Sequence, residues 1–216
     1  NDFYAYMLMI RSPTVNHLLL CRKLFHQFLV DMYAKVESER LCYILNNQKK
    51  LRAENYVHLR DAINNDGNVN DMGQLVVLPS SFTGGPRYMH ERTQDAMTYV
   101  RTYGRPDLFI TFTCNPKWDE IKDLLLPGQK PHDRQDLIAR VFRQKLIKLV
   151  DLIHKHHIFG KTLCYLYTVE WQKRGLPHTH MLIWLKDKIH PNSIDSFISA
   201  ELPNREQDPE LFDVIK

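Results

Sequence analysis

Apolar residues recur every three or four positions from Val15 to about Gln48, at Leu18, Leu19, Leu24, Phe25, Phe28, Leu29, Met32, Tyr33, Val36, Leu41 and Ile44. That spacing predicts one long helix or two stacked ones. A further helix is expected over Leu51–Asn64, closed by the turn-rich run Asn65–Gly73, followed by a short strand over Gln74–Leu78. Arg87–Tyr103 returns to a helical repeat ended by Gly104. Past Arg105 the period changes. Leu108–Thr113 alternates in β-prone residues and is stopped by Asn115-Pro116, and Asp133–His157 is helical. Lys161–Trp171 alternates again, with Leu163, Tyr165, Tyr167, Val169 and Trp171 on one parity. After the polar stretch Gln172–Pro177, which contains Gly175, Met181–Leu185 is apolar on both parities. The last two segments read as an antiparallel hairpin whose second strand is covered on both faces. Pro191–Leu202 is expected to be a helix lying over the sheet, with Asn192 or Ser193 as its cap. The fold class is α+β, a largely antiparallel sheet flanked by helices. Residues 1–104 form a helical N-terminal region and 105–216 a core carrying the sheet.

The mouth of the second hairpin strand carries the chemistry. Side chains at i and i+2 of a strand share a face, so His178 and His180 present two imidazoles to one point while Thr179 faces away. Two histidines at a core edge are often ordinary side chains satisfied by backbone carbonyls. The neighbouring strand argues for more. Glu170 lies on the parity opposite to the tyrosines, with seven residues between it and His178, so the hairpin can return its carboxylate toward the histidines. Two imidazoles and a carboxylate make a divalent-metal site with open positions. Gln172 shares the parity of Glu170 and is the alternative third ligand.

The run from Gly175 to Leu185, GLPHTHMLIWL, resembles the HUH motif of rolling-circle replication initiators, and with its surroundings it resembles the Rep-type nuclease of Helitron transposases. The blocks Leu78–Tyr88, Asp107–Trp118 and Asn46–Arg52 resemble the same family, and the likeness runs over nearly the whole chain. Thr179 departs from the motif, which usually has a bulky apolar residue there. The resemblance implies a nuclease core related to the RNA-recognition fold, with a sheet of about five strands. It also implies a divalent cation, Mg or Mn, and a reaction in which a tyrosine hydroxyl attacks single-stranded DNA, giving a 5'-phosphotyrosine link and a free 3'-OH. The family's paired tyrosines lie on a helix well downstream of the histidines. The nucleophile is therefore expected beyond Lys216, and the chain, which begins and ends in mid-pattern, is read as an excised fragment inactive on its own. A helicase region downstream in the same polypeptide and a nuclear location are implied in the same way.

Candidates within the chain need weighing against that expectation. Tyr165 and Tyr167 fall on the parity opposite to Glu170 and should face away from a metal. Tyr99 and Tyr103, four apart on a helix, imitate a twin-tyrosine pair, although helix packing explains the spacing as well. For DNA, Lys173 and Arg174 in the hairpin loop offer cations beside the metal or form a solvated turn; Lys117 and Trp118 offer a phosphate contact with base stacking, or Trp118 is core. Arg87 follows the turn Gly84-Gly85-Pro86, while Lys49, Lys50 and Arg52 read as a solvated face. His154, His156 and His157 sit at a helix end and read as capping.

Composition adds limits. A net charge of +4 permits nucleic-acid binding without pointing to it. The four cysteines show no C-x-x-C spacing, which argues against structural zinc and for a reduced, intracellular setting. No stretch is long and apolar enough to span a membrane, and no signal peptide opens the chain. Three functions remain: a DNA-nicking transposase domain, an inactive DNA-binding remnant of a transposon, and an unrelated H-x-H metallohydrolase.

Overall fold

The computed structural model describes residues 2–10, 16–48, 76–173, 175–198 and 201–215. The expected helix Leu51–Asn64, the turn run after it and the basic residues Lys49, Lys50 and Arg52 lie outside these. Among the described residues the helices are α1 (Asp2–Met7), α2 (Lys23–Asn46), α3 (Pro86–Tyr103), α4 (Asp119–Lys122), α5 (Gln135–His154) and α6 (Pro209–Ile215). The strands are β1 (Leu108–Thr113), β2 (Thr162–Trp171) and β3 (Pro177–Leu185). They form one antiparallel sheet in the order β1-β3-β2, and the class is α+β.

The chain divides into two compact units. One comprises residues 1–102 and 115–140, the other 103–114 and 141–216. In the first, the long apolar repeat becomes a 3-10 turn, His17–Leu20, followed after a break at Arg22 (φ 45°) by the single helix α2. The expected strand at Gln74–Leu78 is absent over its described part, Val76–Leu78. The Gln48 side chain occupies the backbone there, accepting from the Val77 N–H at 2.9 Å and donating to the Val77 carbonyl at 3.2 Å, so that Val77's polar groups are met without a neighbouring strand. A buried ion pair stands at the start of α5: Arg134 Nε and Nη2 donate to the two carboxylate oxygens of Asp136 at 2.9 and 3.0 Å.

In the second unit β3 is the central strand. Its residues Thr179, Met181, Ile183 and Leu185 are buried on the face that also carries Phe112 and Tyr165. The C-terminal part of α5 covers that face: Phe142 stacks on Phe112, and His154 lies against Tyr165. The helix ends at His154, three residues short of the expected His157, which has φ 52°. Its last carbonyls accept from the backbone of Lys155, His156 and Ile158 and, at Ile153, from the Thr162 hydroxyl. The opposite face is closed at one end only. There Trp184 is fully buried, its indole N–H donating to the Gly104 carbonyl at 2.9 Å. Asp107 clamps that end by accepting from the Leu185 N–H (2.8 Å) and from Lys188 Nζ (2.9 Å). The other end of the face is half-open.

Pro191–Ser196 forms a 3-10 turn where a helix to Leu202 is expected. His190 stands at the cap position in extended conformation, Pro191 occupies the first turn, and the Ser193 hydroxyl donates to the His190 carbonyl; Asn192 and Ser193 therefore lie inside the turn rather than capping it. Ile194, Phe197 and Ile198 remain exposed.

Candidate metal centre

A tight loop builds the open end. The Gln172 N–H donates to the Leu176 carbonyl at 3.0 Å and the Gly175 N–H to the Gln172 carbonyl at 2.8 Å. Gly175 has φ 76°, a conformation strained for any residue with a Cβ. This loop fixes the register: Glu170 pairs with His178 and Thr168 with His180 across the β2–β3 ladder. On the other side of β3, β1 sets Thr113 against His178 and Thr111 against His180.

Directly paired residues of antiparallel strands share a face. Glu170, His178 and His180 consequently converge, one ligand atom of each lying within 4.8 Å of the others. The two Nε2 atoms are 2.8 Å apart, with the imidazole planes at 86°. Their Nδ1 atoms are engaged elsewhere, His178 with the Gln172 amide at 2.7 Å and His180 with the Thr111 hydroxyl at 3.3 Å. A side-chain amide presents either its oxygen or its nitrogen by rotating half a turn, and a hydroxyl both donates and accepts. Gln172 Nε2 stands at His178 Nδ1; with the amide turned so that Oε1 accepts, and with Thr111 Oγ1 accepting, from Nδ1–H, the Nε2 lone pairs are left for the shared point. Two nitrogens held by one ion at about 2.1 Å and at right angles stand about 3 Å apart. The observed separation therefore fits a divalent cation with little movement. Thr179 points the other way, fully buried, its hydroxyl donating to the Thr168 carbonyl. Phe109 lies nearly parallel to the His180 ring, centroids 5.3 Å apart.

Residues 3–183 match the family model described as the Helitron helicase-like domain at the N-terminus. The chain belongs to that family. Membership makes it a Helitron transposase-related domain. The matched span takes in β1, β2, β3 as far as Ile183 and all three clustered side chains. No curated protein and no solved structure matches the chain.

The other candidate residues of this Helitron helicase-like domain fall in both units. Lys173 is exposed in the hairpin loop, and Arg174 lies outside the described residues. Lys117, Trp118 and Arg87 belong to the first unit. Lys117 is exposed, its N–H donating to Asn115 Oδ1 at 2.9 Å, and Trp118 is half-buried at the start of α4. Arg87 is half-buried in the first turn of α3. Tyr99 is half-buried and Tyr103 exposed on α3, which has no fully buried residue. Tyr165 and Tyr167 stack on each other on the face away from the cluster. Burial pushes the Cys114 thiol up to about 11 and raises Cys164 as well, so both remain thiols at neutral pH. Thr111 and Phe109 carry no cue in the sequence beyond strand alternation. Only the β1–β3 register brings them to His180.

Proposed function

We propose that this domain nicks and joins single-stranded DNA for a Helitron-type transposase, through a 5'-phosphotyrosine intermediate and with Mg or Mn at the hairpin cluster. The observation that carries the reading is the convergence of Glu170, His178 and His180 on an open sheet face. When bound, the divalent ion supplies Lewis-acid polarisation of the scissile phosphate and offsets charge on its oxygens. His178 and His180 hold it through Nε2 and Glu170 through its carboxylate. Gln172 and Thr111 keep the opposite ring nitrogens protonated. Lys173 and Arg174, at the loop beside the cluster, bind flanking phosphates of the strand. Lys117, Trp118 and Arg87 serve as further contacts to the same DNA. Tyr165 and Tyr167 lie on the face away from the cluster; as the family resemblance implies, the attacking oxygen comes from a tyrosine on a helix downstream of the histidines. It bonds to phosphorus as the bond to the 3' oxygen breaks; the phenol loses its proton and the 3' oxygen gains one. A helicase region in the same polypeptide and a nuclear site of action complete the proposal.

The test uses the full-length polypeptide with a labelled single-stranded oligonucleotide and Mn2+. A covalent protein–DNA band is expected, lost in His178→Ala and in His180→Ala. Residues 1–216 alone should give none. A band undiminished in both histidine variants, or strand hydrolysis without any adduct, overturns the proposal.

A further inference from the structure

We infer that Phe109 is a stacking platform for one nucleobase of the bound strand, set directly against the metal-binding His180. This rests on the reading that single-stranded DNA passes over the hairpin cluster. Three observations converge on the residue. Phe109 pairs with Leu182 and so lies on the face of the sheet that carries both histidines. Its ring is within 14° of parallel with the His180 imidazole, at 5.3 Å between centroids. Yet it is 63% exposed, whereas Leu108 beside it is buried and Phe112 is packed by Phe142. A scattered exposed aromatic is ordinary on a protein surface. An aromatic stacked on a metal ligand, on an open sheet face, is a different matter.

The chemistry matches a base. Every nucleobase has a π face, so stacking tolerates any sequence and suits a strand held mainly through its phosphates. With His180 occupying one side of the ring, the exposed side takes the base, and the nucleotide is held within reach of the cluster. Phe109 thereby becomes a positioning residue for the scissile phosphate, with Thr111 on the same strand fixing the His180 ring from its Nδ1 side.

The experiment is a binding cycle with the 216-residue chain, Mn2+ and a set of labelled single-stranded oligonucleotides, each with one abasic position. For the unaltered chain, one abasic position should weaken binding by about tenfold. Phe109→Ala should bind the intact strand about tenfold more weakly and lose the penalty at that position, because the two changes remove the same contact. Phe109→Trp should restore both, while Phe109→Leu, which keeps apolar bulk without a ring, should behave as alanine does. Binding of Mn2+ without DNA should stay within a few-fold in all three variants.

An abasic penalty that persists in Phe109→Ala, or wild-type binding by Phe109→Leu, overturns the stacking role alone. So does a loss of Mn2+ affinity as large as the loss of DNA affinity, since Phe109 would then act only by supporting His180. Failure of the unaltered chain to bind single strands at all overturns the DNA reading and this inference together.

Discussion

Gln172 and Thr111 decide whether the two imidazoles are ligands or merely neighbours. Neither is a member of the clustered triad, but each stands at an Nδ1 atom, and by accepting from Nδ1–H each would leave Nε2 free for an ion. Gln172→Leu and Thr111→Val should each weaken Mn2+ binding by roughly tenfold, measured by isothermal titration calorimetry. The unfolding midpoint in EDTA should move by only a few degrees. Unchanged Mn2+ affinity in both would show that the ring orientation is set by backbone register alone. Thr179 illustrates the converse case. It departs from the apolar residue usual at that position, but its hydroxyl finds the Thr168 carbonyl, so a buried polar group is satisfied on the face away from the ligands.

The β2–β3 hairpin joins the site to the fold. Its register depends on a loop in which Gly175 adopts φ 76°, and a one-residue slip would turn Glu170 and the histidines to opposite faces. Gly175→Ala should destabilise the domain by about 1 kcal/mol, seen as a lower midpoint in urea, and should weaken Mn2+ binding in parallel. An alanine variant of unchanged stability would mean the loop relaxes without its left-handed residue. Parity made this element legible in advance, because a period of two is local and the hairpin closes over few residues. Val76–Leu78 was not legible as coil: its β-prone residues pair with no strand among the described residues, and the Gln48 side chain that meets Val77 instead is distant in sequence. The segment after Pro191 also departed from expectation. Its apolar residues suit a helix, but Pro191 and the extended His190 lead into a 3-10 turn.

At the scale of the whole chain, the stretch between β1 and α5 belongs with the N-terminal helices, although it follows the first strand of the sheet. Sequence order hid this, because contiguity along the chain says nothing of which residues cluster. Within that unit, Arg134 and Asp136 form a two-pronged pair with side chains 1% and 5% exposed. Asp136→Ala would leave a guanidinium buried and unpaired, and should lower unfolding stability by about 3 kcal/mol in chemical denaturation. A loss below about 1 kcal/mol would mean that Arg134 reaches water once released. The clustering was legible where it is local, in Glu170, His178 and His180, and the contacts to His180 that depend on β1, from Thr111 and Phe109, were hidden.

All three clustered side chains fall within residues 170–180, a single turn-back of the chain. Bringing ligands together from distant segments carries a loop-closure entropy that grows with the logarithm of the intervening length. Here the intervening length is one short loop, and the ladder beside it has already restricted the backbone before any ion arrives. In the proposed function the cluster acts as a chelate contained in one short piece of polypeptide. The hairpin orders its three donors together, so an ion bound there meets little further entropy cost.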